Sequence, residues 1–139
     1  MAVMNINVFS VMLRHGMDVT VVLPDDIDEG EQLKCVWLYH GGSGDNTEWL
    51  YHTPLVDTVE KRHFAAVLPN VDESCFVNMN IGNRYESYVA KELPSIIWNM
   101  FKCISDKRED NYVSGYSNGG YGCLHTVLKY PQIFSKVGA

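Results

Sequence analysis

The chain has 139 residues, of which 46% are hydrophobic and 20% are charged, and its formal net charge at pH 7 is −6. This length suits one domain, and the composition is typical of a folded globular protein and excludes a disordered one. No cluster of Lys and Arg offsets the acidic excess, so we expect neither a nucleic-acid partner nor an anionic membrane partner.

The N-terminus lacks the basic start and apolar stretch of a signal peptide, and no run approaches the roughly 18 apolar residues that indicate a membrane span. The four cysteines are widely spaced and form no C-x-x-C pair, so we interpret them as free thiols. These observations predict a reducing, cytoplasmic location. No His and Cys spacing typical of a metal site occurs, and we expect no metal and no other cofactor.

The first part of the chain is predicted to form strands and then helix. Residues 5–10 and 18–23 alternate in polarity, which predicts an antiparallel pair at the edge of a sheet. Residues 33–39 are mostly apolar without alternation, which is typical of a strand buried on both faces of a parallel sheet. A helical segment is predicted next at residues 46–62, where Pro54 is expected to divide it into two pieces.

The middle of the chain continues with a short strand, a loop and a longer helix. Residues 64–68 form an apolar run that Pro69 stops, and residues 71–83 are predicted to be a loop. Over residues 84–101 the apolar residues recur at helical spacing. Pro94 lies inside this pattern and is expected to kink or offset the helix.

The last elements complete an alternating pattern of strands and helices. Residues 111–114 form a short strand, and a helix follows at residues 118–130. This order predicts a doubly wound α/β architecture, in which the chemistry lies at the carboxyl ends of the strands. The Gly-rich segments 40–44 and 115–120 both fall at such strand ends, so we expect them to form one site.

Residues 115–119 read Gly-Tyr-Ser-Asn-Gly and match the G-x-S-x-G pattern of a nucleophile elbow. The strand must turn at once into a helix, so the serine backbone is strained and its neighbours must be small. The bare pattern also occurs in ordinary Gly-rich turns, but the strand before it and the helix after it favour the catalytic interpretation. We predict Ser117 as the nucleophile and the backbone N–H of Asn118 as one donor to the oxyanion.

The other Gly-rich loop, His-Gly-Gly-Ser-Gly at residues 40–44, is similar to the loop that supplies a second oxyanion donor in lipases and esterases. We predict the N–H of Gly42 as that donor, with Ser43 as the near alternative. His40 is interpreted as a structural residue that braces the loop. His125 lies about two turns beyond the predicted nucleophile on the same helix and is not expected to reach it.

Three ordered blocks carry a family resemblance: Leu38-Tyr-His-Gly-Gly-Ser-Gly-Asp-Asn-Thr-Glu-Trp49, Arg84-Tyr-Glu86 with Glu92-Leu-Pro94, and Gly115-Tyr-Ser-Asn-Gly-Gly-Tyr-Gly122. They resemble the esterase D and tributyrin esterase family over nearly the whole chain. The resemblance implies an α/β-hydrolase fold with a mostly parallel sheet and antiparallel N-terminal edge strands. Feruloyl and acetylxylan esterases, S-formylglutathione hydrolases and mycolyltransferases share similar blocks. The family usually has Met at position 118, where only the backbone N–H of Asn118 is needed.

The triad of this fold runs in the order Ser, then Asp or Glu, then His. The resemblance implies that the acid and the base lie on loops beyond residue 139, so no residue here is assigned to either role. We expect residues 1–139 to form the N-terminal portion of a single α/β-hydrolase domain, truncated after the helix of the elbow. The sheet should then be open beside the strand that carries Ser117, and apolar helix faces should favour association into a homo-oligomer.

Three functional interpretations are open at this point. The leading one is a serine carboxylesterase that hydrolyses short-chain acyl esters of small molecules through an acyl-enzyme on Ser117. The second is a catalytically incomplete fragment that acts only as a scaffold or pairs with another chain. The third is acyl transfer to an acceptor other than water.

Overall fold

The computed structural model describes residues 1–139, and a six-stranded sheet runs through it. Its strands are Ala2–Ser10 (β1), His15–Leu23 (β2), Cys35–Tyr39 (β3), Ala65–Pro69 (β4), Asn111–Gly115 (β5) and Lys136–Gly138 (β6). Their order in space is β1-β2-β4-β3-β5-β6. The pairs β1–β2 and β2–β4 are antiparallel, and β4, β3, β5 and β6 are parallel to one another. The predicted antiparallel edge pair beside a mostly parallel sheet is confirmed.

Neighbouring residues of the central strands contribute to two hydrophobic layers, because successive side chains of a strand point to opposite faces of the sheet. Trp37 and Val67 belong to the larger layer, whereas Leu38 and Leu68 belong to the smaller one. All four side chains are buried. Burial on both faces explains why these strands read as continuous apolar runs.

Two short helices cover the smaller layer. They are Glu48–His52 (α1) and Leu55–Arg62 (α2), and α2 buries Leu55 and Val59 against the sheet. Pro54 stands directly before α2, where its missing N–H breaks no intrahelical hydrogen bond. The predicted division of this helical segment at Pro54 is confirmed.

The helical segment 85–100 covers the larger layer and changes its winding along the way. It consists of Tyr85–Ser87 (α3), a π-helical turn at Tyr88–Glu92 and Leu93–Met100 (α4). The N–H that closes the π turn donates to the carbonyl five residues earlier. Pro94 follows at once, and it has no N–H for the usual helical hydrogen bond. The predicted offset at Pro94 is therefore observed as a π turn.

The last helix, Asn118–Lys129 (α5), packs one face against β5, and part of its other surface is exposed to solvent. Tyr121, Leu124 and Leu128 are exposed at helical spacing on α5, as expected for an apolar helix face. The expectation that the sheet is open beside the strand leading to Ser117 is wrong, because β6 pairs with β5. The exposed edge lies one strand further out, at β6 itself.

No helix of the structure combines the length and the apolar character that crossing a membrane requires.

A buried carboxylate links the segment 85–100 to the C-terminal end of α5. Glu86 is buried and lies 2.7 Å from the Tyr130 hydroxyl, 2.7 Å from the Lys129 ammonium and 2.9 Å from Nε2 of His125. Burial by itself raises the pKa of a carboxyl group, but these three donors outweigh it and lower the pKa of Glu86 to about 2. The ionised carboxylate therefore stabilises the contact between the two helices.

We expect Glu86→Gln to lower the free energy of unfolding by about 2 kcal/mol at pH 7, because three donors lose a charged acceptor. The folded-state pKa of about 2 lies below the ordinary 4.5, so this stabilisation is present above pH 4.5 and is lost as the pH falls towards 2. Urea unfolding at pH 7 and pH 3 measures both effects. Glu29→Gln, which changes an exposed carboxylate, is the control. Equal losses in the two variants would contradict this role of Glu86.

Candidate active site

The turn between β5 and α5 holds Ser117 in a rare backbone conformation. Ser117 is the residue directly before α5, with φ 53° and ψ −120°, and its side chain is exposed. Residues other than glycine seldom adopt positive φ, and such strain persists only where the surroundings enforce it. The predicted strained serine between a strand and a helix is thus present.

Two glycines allow this turn to lie directly against the end of β3. A Cβ on Gly119 would collide with the carbonyl oxygens of Tyr39 and His40, and a Cβ on Gly115 would collide with the carbonyl of Gly119. The motif therefore requires glycine at both positions because backbone passes backbone at close range. The same approach places the elbow beside the loop that follows β3.

The buried side chain of His40 supports the loop at residues 40–44 through two hydrogen bonds. Its ring is fully buried, with Nδ1 2.7 Å from the carbonyl oxygen of Gly41 and Nε2 3.1 Å from the backbone nitrogen of Val71. Nδ1 therefore carries the proton and donates it to the carbonyl, while Nε2 accepts from the N–H. Both ring nitrogens are engaged, so His40 is a structural residue, as interpreted from the sequence, and has no free nitrogen for base chemistry.

The backbone N–H groups of this loop divide into two pairs. Gly41 donates to the carboxylate of Glu48 at 3.0 Å, and Gly44 donates to the carbonyl of Gly41 at 3.2 Å. The N–H groups of Gly42 and Ser43 have no partner in the protein. These two residues, whose N–H groups lack a partner, are the two considered as oxyanion donors from the sequence.

The two Gly-rich segments meet, as expected. Tyr39 and Gly115 are opposite each other in the β3–β5 register, so both strands end at the same edge of the sheet. The ring of Tyr116 lies over Gly41, where an added Cβ would come within 2.9 Å of it. Asn118 is the first residue of α5, and the N–H of such a residue has no intrahelical partner. The roles of Ser117, Gly42 and Asn118 in catalysis stay predictions.

A polar cleft of about 200 Å³ begins at the loop formed by residues 40–44. Only one of its seven lining residues is hydrophobic, and the set is Ser43, Gly44, Asp45, Thr47, Glu48, Tyr51 and His52. Elsewhere, too, the structure holds no group of three or more His, Cys, Asp or Glu side chains arranged to bind a metal.

No histidine lies within hydrogen-bonding distance of the Ser117 hydroxyl. His125 is bonded to Glu86, and His63 lies 2.7 Å from Glu31 before β4, at the opposite edge of the parallel sheet. A serine nucleophile requires a base that accepts its proton. These 139 residues place none beside it.

Two contributors to the site were missed in the sequence. Phe76 lies in the predicted loop 71–83, yet its ring is fully buried and stacks on Tyr39 at a centroid distance of 4.5 Å. A Cβ on Gly122 of α5 would collide with that ring. Phe76 was missed because one aromatic residue without periodic neighbours is too weak a signal to indicate burial. Glu48 was missed because the Gly41 N–H that it accepts lies seven residues earlier, on the other side of a turn.

Comparisons with known proteins agree with this geometry. Residues 10–139 match the model of a protein family described as "Putative esterase". An acetyl esterase of Caldicellulosiruptor saccharolyticus is 31% identical to the chain over 144 residues, which cover 96% of this chain and 53% of that protein.

Solved structures give the same result. The fluorophosphonate-binding serine hydrolase FphF of Staphylococcus aureus is 31% identical, with a TM-score of 0.91 over 98% of this chain and 55% of that one. The S-formylglutathione hydrolase FrmB of the same organism is 30% identical, with a TM-score of 0.84 over 98% of this chain and 57% of that one. The chain thus spans about half the length of the relatives it matches, and it has the α/β-hydrolase fold.

We expect Gly119→Ala to disrupt the elbow, because its Cβ would collide with two backbone carbonyl oxygens that are unable to move away. The unfolding free energy should fall by about 2 kcal/mol or more, in the range of overpacked sites. Gly120→Ala is the matched control, since a Cβ there meets its nearest heavy atom at 3.4 Å and alanine favours the helix. Thermal or urea unfolding compares the two. Equal stability of both variants would show that the close approach is not required.

Proposed function

The chain belongs to the esterase family of α/β-hydrolases, and from this premise we propose that it carries the nucleophile and the oxyanion hole of a serine carboxylesterase. The observation that supports this most directly is the backbone of Ser117, held at φ 53° where β5 meets α5. A strained, exposed serine at the carboxyl edge of such a sheet is the arrangement that acyl transfer uses.

The proposed chemistry follows the acyl-enzyme route. Oγ of Ser117 attacks the ester carbonyl carbon and loses its proton to a base, and the N–H groups of Gly42 and Asn118 donate to the oxyanion. Collapse of the tetrahedral intermediate breaks the bond to the alcohol, which leaves with a proton. Water then attacks the acyl-enzyme by the same steps and releases the acid.

We further propose that the triad acid and base lie outside these 139 residues, which then form the N-terminal portion of one catalytic domain. Supporting this, both ring nitrogens of His40 are engaged and His125 is bonded to Glu86. The length of the relatives also supports it, because the chain covers only 53% of the acetyl esterase.

The finer assignment that we propose is the esterase D and tributyrin esterase group, with short acyl chains on small or aryl alcohols. The three sequence blocks support the group, and the similarity to FrmB agrees with it. No apolar insertion that would act as a lid interrupts the blocks. A cytoplasmic location belongs to the same proposal, and its support is that all four cysteines are free thiols.

We expect a fluorophosphonate probe to label the complete protein at Ser117, since the probe phosphonylates an activated serine. Ser117→Ala should abolish both labelling and hydrolysis of p-nitrophenyl butyrate, as loss of a nucleophile lowers turnover by several orders of magnitude. Mass spectrometry of the labelled peptide identifies the site. Labelling that persists in Ser117→Ala would place the nucleophile elsewhere.

The 139-residue chain alone is the control for the missing base. It should turn over the same ester near the residual level of about 10³–10⁴-fold over water that binding and the oxyanion hole supply. Turnover typical of esterases that depends on Ser117 in this chain would show that a base exists within it.

We expect the complete protein to prefer short acyl chains. Comparison of kcat/KM for p-nitrophenyl acetate, butyrate and palmitate separates the acyl chain from the alcohol, which stays constant. The palmitate ester should be the poorest substrate, because the cleft beside Ser43 is small and mostly polar. A clear preference for palmitate would contradict the short-chain proposal while leaving the serine esterase proposal intact.

A further inference from the structure

We propose that Glu48 is a positioning residue of the oxyanion hole: its carboxylate holds the loop at residues 40–44 in the geometry in which the Gly42 N–H donates to the oxyanion. The inference rests on the proposed esterase function and adds a residue to it.

The carboxylate of Glu48 occupies the inside of the loop's turn. Oε2 accepts the N–H of Gly41 at 3.0 Å. Across the turn, a Cβ on Gly44 would collide with the same carboxylate. The loop is therefore folded around the Glu48 side chain, and glycine at position 44 leaves the space for it.

This contact fixes the peptide that bears the predicted donor. Gly41 is held at both ends, since its N–H is bonded to Glu48 and its carbonyl oxygen accepts from Nδ1 of His40 and from the N–H of Gly44. The Gly42 N–H belongs to the same peptide plane as that carbonyl. All peptide bonds of the chain are trans, so the N–H points away from the carbonyl and from the buried His40. Gly42 is exposed and its N–H has no partner in the protein, so this N–H remains for a substrate oxygen.

The same turn of α1 also holds the elbow. The Glu48 carboxylate raises the pKa of Tyr116, because a neighbouring negative charge opposes loss of the phenol proton. Trp49 donates from Nε1 to the carbonyl of Tyr39 at 3.0 Å, and its ring packs edge-on against Tyr116 at 5.5 Å. The residue before the nucleophile and the oxyanion loop are therefore tied to one dipeptide, Glu48-Trp49.

A simpler role for Glu48 would be to place a negative charge in the first turn of α1, where it favours the helix dipole. The two roles predict opposite effects for Asp and Gln at position 48. Asp keeps the charge but is one methylene shorter and loses the reach to Gly41. Gln loses the charge but keeps a carbonyl oxygen that accepts the Gly41 N–H.

The test is steady-state kinetics of the complete protein with p-nitrophenyl butyrate, with kcat and KM reported separately. We expect Glu48→Ala and Glu48→Asp to lower kcat about 10- to 100-fold with KM within about twofold, because loss of one oxyanion donor outright costs about 10²–10³-fold in kcat. Glu48→Gln should stay within about threefold of the wild type. Fluorophosphonate labelling should slow in parallel, since its phosphoryl oxygen occupies the same hole. Glu73→Ala, an exposed carboxylate on another loop, is the matched control.

Each other pattern overturns the inference. A wild-type kcat in Glu48→Ala would show that the loop keeps its geometry unaided. A raised KM with unchanged kcat would indicate a substrate contact in the cleft. A loss in Glu48→Gln as large as in Glu48→Asp would show that charge matters instead of the hydrogen bond. Activity that survives Ser117→Ala overturns the proposed function and this inference with it, whereas loss of activity only in Ser117→Ala overturns this inference alone.

Discussion

The close approach of α5 to the end of β3 is the constraint on which the site depends. Gly119 lies so near the carbonyl oxygens of Tyr39 and His40 that no side chain fits between them. The chain leaves β5 and must enter α5 within two residues, and Ser117, the second of these, has φ 53°. Backbone strain of this kind costs of order 1–3 kcal/mol, so it persists only where tertiary packing enforces it.

The packing that enforces it lies directly beneath the two strands. Trp37 donates from Nε1 to the side chain of Asn111 at 2.9 Å, which joins the middle of β3 to the start of β5 inside the core. Nearer the site, Phe76 stacks on Tyr39 and leaves room on α5 only for Gly122. The stacking of Phe76 on Tyr39 and the hydrogen bond between Trp37 and Asn111 thus fix the positions of the two strands. The geometry of the elbow depends on both contacts.

The features that could be predicted from the sequence are those that depend on residues close together in the chain. The buried strands, the break at Pro54 and the offset at Pro94 each follow from residues a few positions apart, and all were found. The contacts of Glu86 with α5, of Phe76 with Tyr39 and of Glu48 with the loop at residues 40–44 depend on tertiary folding, and no periodicity marks them. The strand β6 was not among the predicted elements, because its three exposed residues carry no burial pattern. The predicted edge of the sheet was therefore one strand too early.

An oxyanion hole requires N–H groups that folding leaves without partners, which ordinary folding avoids, because an unpaired buried N–H is costly. In the loop at residues 40–44, some backbone N–H groups make hydrogen bonds within the protein and others do not. Gly41 and Gly44 use their N–H groups to hold the turn, whereas the N–H groups of the exposed residues Gly42 and Ser43 have no partner in the protein. The proposed donors are therefore oriented by hydrogen bonds that their neighbours make, and binding of an oxyanion would need no rearrangement of the backbone.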